Sequence, residues 1–116
     1  MKAATPLRIG ELAQLTGVSR RALRHYERQG LLPARRGDNG YRHFDRDAVA
    51  RVGAIRELLA MGLPTRLVRE VLPCVLDADP ARLRCPELRS ILHDELARLD
   101  ARAAEIDDAR RRIETL

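Results

Sequence analysis

The chain has 116 residues, a net charge of +5 at pH 7, and 45% apolar but only 3% aromatic residues. That length suits one compact domain, or one small domain with an appendage. It holds no apolar run near the roughly 20 residues a membrane span needs, and no apolar segment follows Met1-Lys2 as a secretory signal requires. Two cysteines are too few for a disulfide framework, so the expected setting is cytoplasmic, with no membrane involved.

With no Trp, the core must be aliphatic; 18 Leu and 16 Ala favour helix over sheet. The basic residues are 21 Arg and one Lys, and they are unevenly spread. Residues 1–60 carry 12 basic and 6 acidic side chains, a net +6, whereas residues 61–116 carry 10 and 11, a net −1. A positive front half implies an acidic partner there. Nucleic acid leads, because the planar guanidinium suits both phosphate and base edges.

Glycines punctuate the chain as far as Gly62 and then cease; Pro73, Pro80 and Pro86 mark a loop, and an uninterrupted tail follows. The spacing predicts a short first helix with Ile9, Leu12, Ala13 and Leu15 inward, stopped by Gly17. Its N-cap is poor, since Arg8 has no acceptor to offer. Ser19 then caps a second helix running to about Gln29, with Gly30 as its left-handed C′ residue. Leu23, Tyr26 and Ala22 form its inner side, while Arg20, Arg21, Arg24 and Arg28 point elsewhere. Two short helices at a tight turn make a helix-turn-helix pattern, which is weak evidence by itself.

The next segment strengthens it. Asp38-Asn39-Gly40 is turn chemistry, flanked by Arg35 and Arg36 before it and by Tyr41, Arg42 and Phe44 after it. This reads as a small cationic β-hairpin, a wing, too small to stand without the helices. All three aromatic residues (Tyr26, Tyr41, Phe44) lie between Val18 and Phe44, with seven Arg against Glu27 and Asp38. Phe44 is expected in the core. A third helix follows Asp45 as N-cap, with Val49, Val52, Ile55, Leu58 and Leu59 as its stripe and Gly62 as its stop. A fourth starts at Pro64 and buries Leu67, Val68, Val71 and Leu72; Pro73 ends or kinks it.

The tail reads as one helix of roughly 28 residues, about 42 Å long. Leu88, Leu92, Leu96, Leu99, Ala103, Ile106 and Ile113 form a narrow stripe at close to coiled-coil spacing, although Arg110 also falls in it. The simplest cover for such a stripe is the same helix of a second copy; the alternative is a helix folded back on its own domain. The expected layout is a DNA-binding domain over 7–76, a linker loop over 77–86 and a dimerisation helix over 87–116.

Taken together, the chain resembles the MerR family of bacterial transcription regulators from about Leu7 to Leu116. The resemblance rests on Ile9-Gly10-Glu11-Leu12-Ala13, Thr16-Gly17-Val18-Ser19 and the run from Leu23 to Pro33 that includes Arg24-His25-Tyr26-Glu27. Arg36, Gly40-Tyr41-Arg42 and Ala60-Met61-Gly62-Leu63 extend it. It implies a mainly α chain: a winged helix-turn-helix domain with a small β-hairpin wing, then a long helix forming an antiparallel coiled coil. It implies a homodimer on a pseudo-palindromic promoter operator, acting with RNA polymerase.

By the matching positions, Ser19, Arg20, Arg21 and Arg24 would meet the major groove and its phosphates. His25 and Tyr26 would bind phosphate. Arg36, Tyr41 and Arg42 on the wing would contact backbone or minor groove, and the turn at Leu63-Pro64-Thr65 would form a second wing. Arg20, near its helix start, is the expected base contact, because a bidentate Arg–guanine pair gives about 1–3 kcal/mol of discrimination. The others position the helix. His25 stands where the family usually has Tyr; protonation beside a phosphate would strengthen binding at lower pH.

The chain stops at Leu116, so the resemblance suggests a short form without an effector domain. Cys85 lies about where mercury-sensing members place one ligand, and Cys74 precedes it by eleven residues. A thiol sensor built on the two is less expected than Cys74 as a small buried apolar residue and Cys85 as an incidental loop residue. His25, His43 and His93 are too scattered for a metal cluster, and no cofactor is expected. Asp107-Asp108 and Asp94-Glu95 belong to a solvated helix face, and no catalytic motif is present, so no enzymatic activity is expected. Two other readings compete with the promoter regulator: an architectural or excisive DNA-binding protein, and a coiled-coil interaction module whose basic face is only surface.

Overall fold

The computed structural model describes residues 6–37, 40–76 and 85–116, with side chains in the last segment from Leu88 onward. The chain divides into two compact units, Met1–Asp79 and Pro80–Leu116. The first contains α1 (Ile9–Thr16), α2 (Arg20–Arg28), β1 (Arg35–Arg36), β2 (Arg42–His43), α3 (Ala48–Ala60) and α4 (Thr65–Leu76). The second is the single helix α5 (Cys85–Glu114).

Local chemistry explains the helix ends. Arg8 has no acceptor, but the Glu11 carboxylate reaches back and accepts its backbone N–H at 2.9 Å, half of a capping box. At the other end Gly17 adopts φ 73°, a conformation that costs an L side chain about 1–2 kcal/mol. Thr16 Oγ1 donates to the Leu12 carbonyl and accepts from the Val18 amide, so the turn is tied internally. Ser19 Oγ accepts from the Ala22 amide at 3.1 Å and starts α2 as expected.

Leu12 and Leu23 are fully buried where α1 meets α2, and Leu31, Leu32, Val52, Ile55, Val68 and Leu72 continue the core. Each such side chain contributes about 1.5–3 kcal/mol of burial. Leu15, expected inward, is 56% exposed. The buried face of α1 centres on Leu12, Ile9 and Thr16, and at 100° per residue position 15 lies roughly 90° from it.

The hairpin pairs Arg35 with His43 and Arg36 with Arg42 in antiparallel register. Two residues per strand cannot stand alone. Its support is a further bridge, in which Leu7 and Phe44 exchange both backbone hydrogen bonds at 2.8 and 2.7 Å and bury both side chains. Phe44 is therefore core, at 1% exposure. The wing tip at Asp38-Asn39 lies outside the described residues.

Three expectations about the helices need correction. Asp45 does not cap α3 with its side chain; its carboxylate pairs with Arg35 at 3.4 Å, and its backbone carbonyl opens a turn before Ala48. Of the two expectations for Pro73, that it ends or kinks α4, the first is not met, since the helix runs on to Leu76. Proline removes only one amide donor, and here it lies on an exposed side of a helix whose other face is packed. Residues 77–84 of the expected linker lie outside the described residues, and α5 starts at Cys85 rather than Glu87. At 30 residues it is about 45 Å long.

Arginines of α3 and α4 brace the front helices. Arg56 Nη1 donates to the Thr16 carbonyl at the end of α1. Arg69 donates twice to the Gln29 carbonyl at the end of α2, from Nε at 3.1 Å and Nη2 at 2.7 Å. Arg51 Nε donates to the Leu31 carbonyl just beyond it. The Thr16 and Gln29 carbonyls, at helix ends, have no partner within their own helices and would otherwise depend on water.

Candidate nucleic-acid interface

Helix α2 carries its arginines on two adjacent ridges. Arg20 and Arg24 lie four residues apart on one; Arg21, His25 and Arg28 form the other and line a shallow depression beside Ser19. Arg20, Arg21, Arg24, His25 and Arg28 are exposed, and none makes an ion pair or hydrogen bond through its side chain among the described residues. Tyr26 is half-buried, consistent with a ring in the core and its hydroxyl at the edge. Ser19 is occupied as the cap of α2.

The first ridge meets the wing. Arg8, Arg24, Arg36, Tyr41 and Arg42 surround an open groove of about 380 Å³ floored by Phe44. Sequence reading placed Arg24, Arg36, Tyr41 and Arg42 at an interface but missed Arg8. Its guanidinium stands 5.0 Å from the Tyr41 ring centre, a cation–π contact. Only its position just before the first helix could have drawn attention to it.

Two wing arginines are already engaged. Arg36 Nη1 donates to the Gly40 carbonyl at 2.9 Å and holds the hairpin turn. Arg42 Nη1 pairs with the Glu27 carboxylate of α2 at 3.2 Å, joining wing to helix. Pro64 and Thr65 do not line this groove. They sit at the α3–α4 turn, where the Pro64 carbonyl accepts from the Leu67 and Val68 amides. The Thr65 and Arg66 amides precede the first intrahelical bonds of α4 and have no acceptor among the described residues.

On α5, Leu96, Leu99, Ala103, Ile106 and Ile113 of the apolar stripe are exposed, and Leu88 and Leu92 are half-buried. Asp107 and Asp108 pair with Arg111 and Arg112 four residues on, at 3.6 and 3.1 Å. Cys74 is half-buried on α4 and disulfide-bonded, which corrects the expectation of a small buried apolar residue there. The side chain of Cys85 lies outside the described ones. Among the described residues no cluster of His, Cys, Asp and Glu is suited to hold a metal ion, and no helix is long and apolar enough to cross a membrane.

Two short helices at a glycine turn, an outer helix with solvent-facing arginines and a short cationic hairpin beside it define a winged helix-turn-helix, an architecture that presents a helix to a DNA duplex. Comparison with known proteins narrows the class. The profile of the MerR HTH family of regulatory proteins matches residues 7–73. The chain is 47% identical over 77 residues to nodulation protein NolA of Bradyrhizobium elkanii, covering 62% of this chain and 35% of that protein, so it spans about a third of that relative's length. It is 34% identical over 110 residues to the mercuric resistance operon regulatory protein of Bacillus cereus, covering 94% of this chain and 74% of that protein. Among solved structures, the lead(II) complex of the transcription regulator PbrR691 from Ralstonia metallidurans CH34 superposes with a TM-score of 0.79. That match has 26% identity and covers 92% of this chain and 82% of the other. The chain belongs to the MerR family of transcription regulators, and its helix-turn-helix is a DNA-binding one.

Proposed function

We propose that the chain works as a homodimer that binds a pseudo-palindromic operator within a promoter and acts there with RNA polymerase. The observation that carries this reading is the α2 surface, where Arg20, Arg21, Arg24 and Arg28 have no acidic partner among the described residues. A surface so charged self-repels, and a polyanion relieves it. Ser19, Arg20, Arg21 and Arg24 enter the major groove; His25 and Tyr26 hold phosphates. The groove at Arg36, Tyr41 and Arg42 takes the flanking backbone, and the amides at Pro64-Thr65 take another phosphate.

Residues 7–76 form the DNA-binding domain and 77–84 the connection to α5. Within 87–116, Leu88, Leu92, Leu96, Leu99, Ala103, Ile106 and Ile113 pack against the same residues of a second copy, antiparallel. Exposure of the outer five supports this, since a solvated helix of 30 residues gains little by keeping leucine and isoleucine in water. Two-fold symmetry in the protein then requires approximate two-fold symmetry in the site.

Sizing of the purified protein together with footprinting on selected genomic fragments tests the proposal. Twice the chain mass and protection of two half-sites between promoter elements are expected. A single-chain mass, or protection without half-site symmetry, contradicts it.

A further inference from the structure

Gly10 occupies the second position of α1 with an ordinary negative φ. Glycine is a poor helix former, and neither a turn nor a left-handed conformation calls for it here. What does call for it is the space above it. A Cβ at position 10 would stand 2.6 Å from Nη2 of Arg20, 3.2 Å from its Cζ and 3.5 Å from its Nε. The three atoms nearest that point all belong to one guanidinium, which is turned back from the first residue of α2 across the start of α1.

We propose that Gly10 is a positioning residue: its missing side chain seats the Arg20 guanidinium, and the chain's sequence discrimination depends on that seat. This deepens the DNA-binding reading and rests on it. Arg20 makes no hydrogen bond or ion pair among the described residues. Packing against the bare backbone of α1 is therefore what restricts its four side-chain torsions before a duplex arrives. Ordering a long side chain at an interface costs roughly 2- to 10-fold in an equilibrium constant. A side chain ordered beforehand escapes that cost, and only where its partner base is correctly placed. A methyl group at position 10 evicts the guanidinium and restores the cost without touching the core. The displaced atoms are the end of a flexible side chain, so the backbone need not move.

The test uses the full chain as Gly10→Ala, Arg20→Ala and the double variant. A duplex pool with a randomised central segment yields the preferred duplex for the unmodified protein. The readout is the ratio of affinity for that duplex to affinity for a scrambled duplex of the same composition. Gly10→Ala is expected to lower the ratio roughly 2- to 10-fold, with a melting temperature unchanged or raised, and to have no further effect once Arg20 is alanine. In the free protein, NMR relaxation of the Arg20 Nε–H group is expected to show an ordered group that becomes mobile in Gly10→Ala. The proposal is overturned if Gly10→Ala leaves the ratio intact, or if its loss persists in the double variant. It is also overturned if Arg20 Nε–H is equally mobile with and without the added methyl. Failure of the unmodified protein to bind any duplex would instead reject the DNA-binding reading, and the relaxation measurement would still judge the seat.

Discussion

The arginines of this chain do three different things, although they look alike in the sequence. Arg51, Arg56 and Arg69 satisfy backbone carbonyls. Arg36 and Arg42 hold the wing to itself and to α2. Arg21, Arg24 and Arg28 engage nothing through their side chains among the described residues. Substitutions should separate these groups. Arg24→Ala is expected to weaken binding to all duplexes about equally and to reduce the salt dependence of affinity by about two counterions per dimer, one from each copy, measured by titration at several salt concentrations. Glu27→Gln removes the carboxylate partner of Arg42. The pair is half solvated, so stability should fall by no more than about 1 kcal/mol. Affinity for any duplex should rise, because one negative charge is lost beside the groove and one guanidinium is released toward phosphate. Loss of affinity in Glu27→Gln would mean that the ion pair positions the wing for binding.

At the scale of the elements, the junctions bear most of the load. The end of α2 is held by two donors of Arg69 converging on one carbonyl. A fork of that kind is specific to the guanidinium. Arg69→Met keeps the aliphatic stem and should cost about 1–2 kcal/mol in urea unfolding, the usual scale for a lost hydrogen bond from a charged donor. Arg69→Lys should recover only part of it. The wing depends equally on the Leu7–Phe44 bridge. Phe44→Ala removes a fully buried ring and is expected to cost about 3–5 kcal/mol, enough to unfold a small domain, as seen by circular dichroism. Phe44→Leu should retain most of that stability and leave the wing in place.

For the whole molecule, the question is what covers the apolar side of α5. If a second copy does, Leu99→Glu places two like charges inside the paired helices. The dimer should then dissociate to single-chain mass in sizing experiments while the helix-turn-helix unit keeps its melting temperature. Operator affinity should fall by much more than any single phosphate contact accounts for, since two half-sites no longer bind together. Unchanged mass in Leu99→Glu would place the dimer seam elsewhere on the helix.

Much of this was legible in the residue order. Ser19 as cap, Gly17 and Gly30 as stops, the hairpin turn and the α5 stripe are set by local chemistry within a few residues, and periodicity reports such chemistry directly. The run of arginines from Arg20 to Arg42 pointed to the candidate interface for the same reason, as charge is additive along a chain. Only the tertiary structure could decide which arginines are spent on carbonyls, why Asp45 abandons its cap for Arg35, how Leu7 anchors the wing, and that Gly10 leaves room for Arg20. Those outcomes depend on contacts between groups far apart in sequence or on neighbouring helix faces, where distance and direction in space, rather than spacing along the chain, fix the energy.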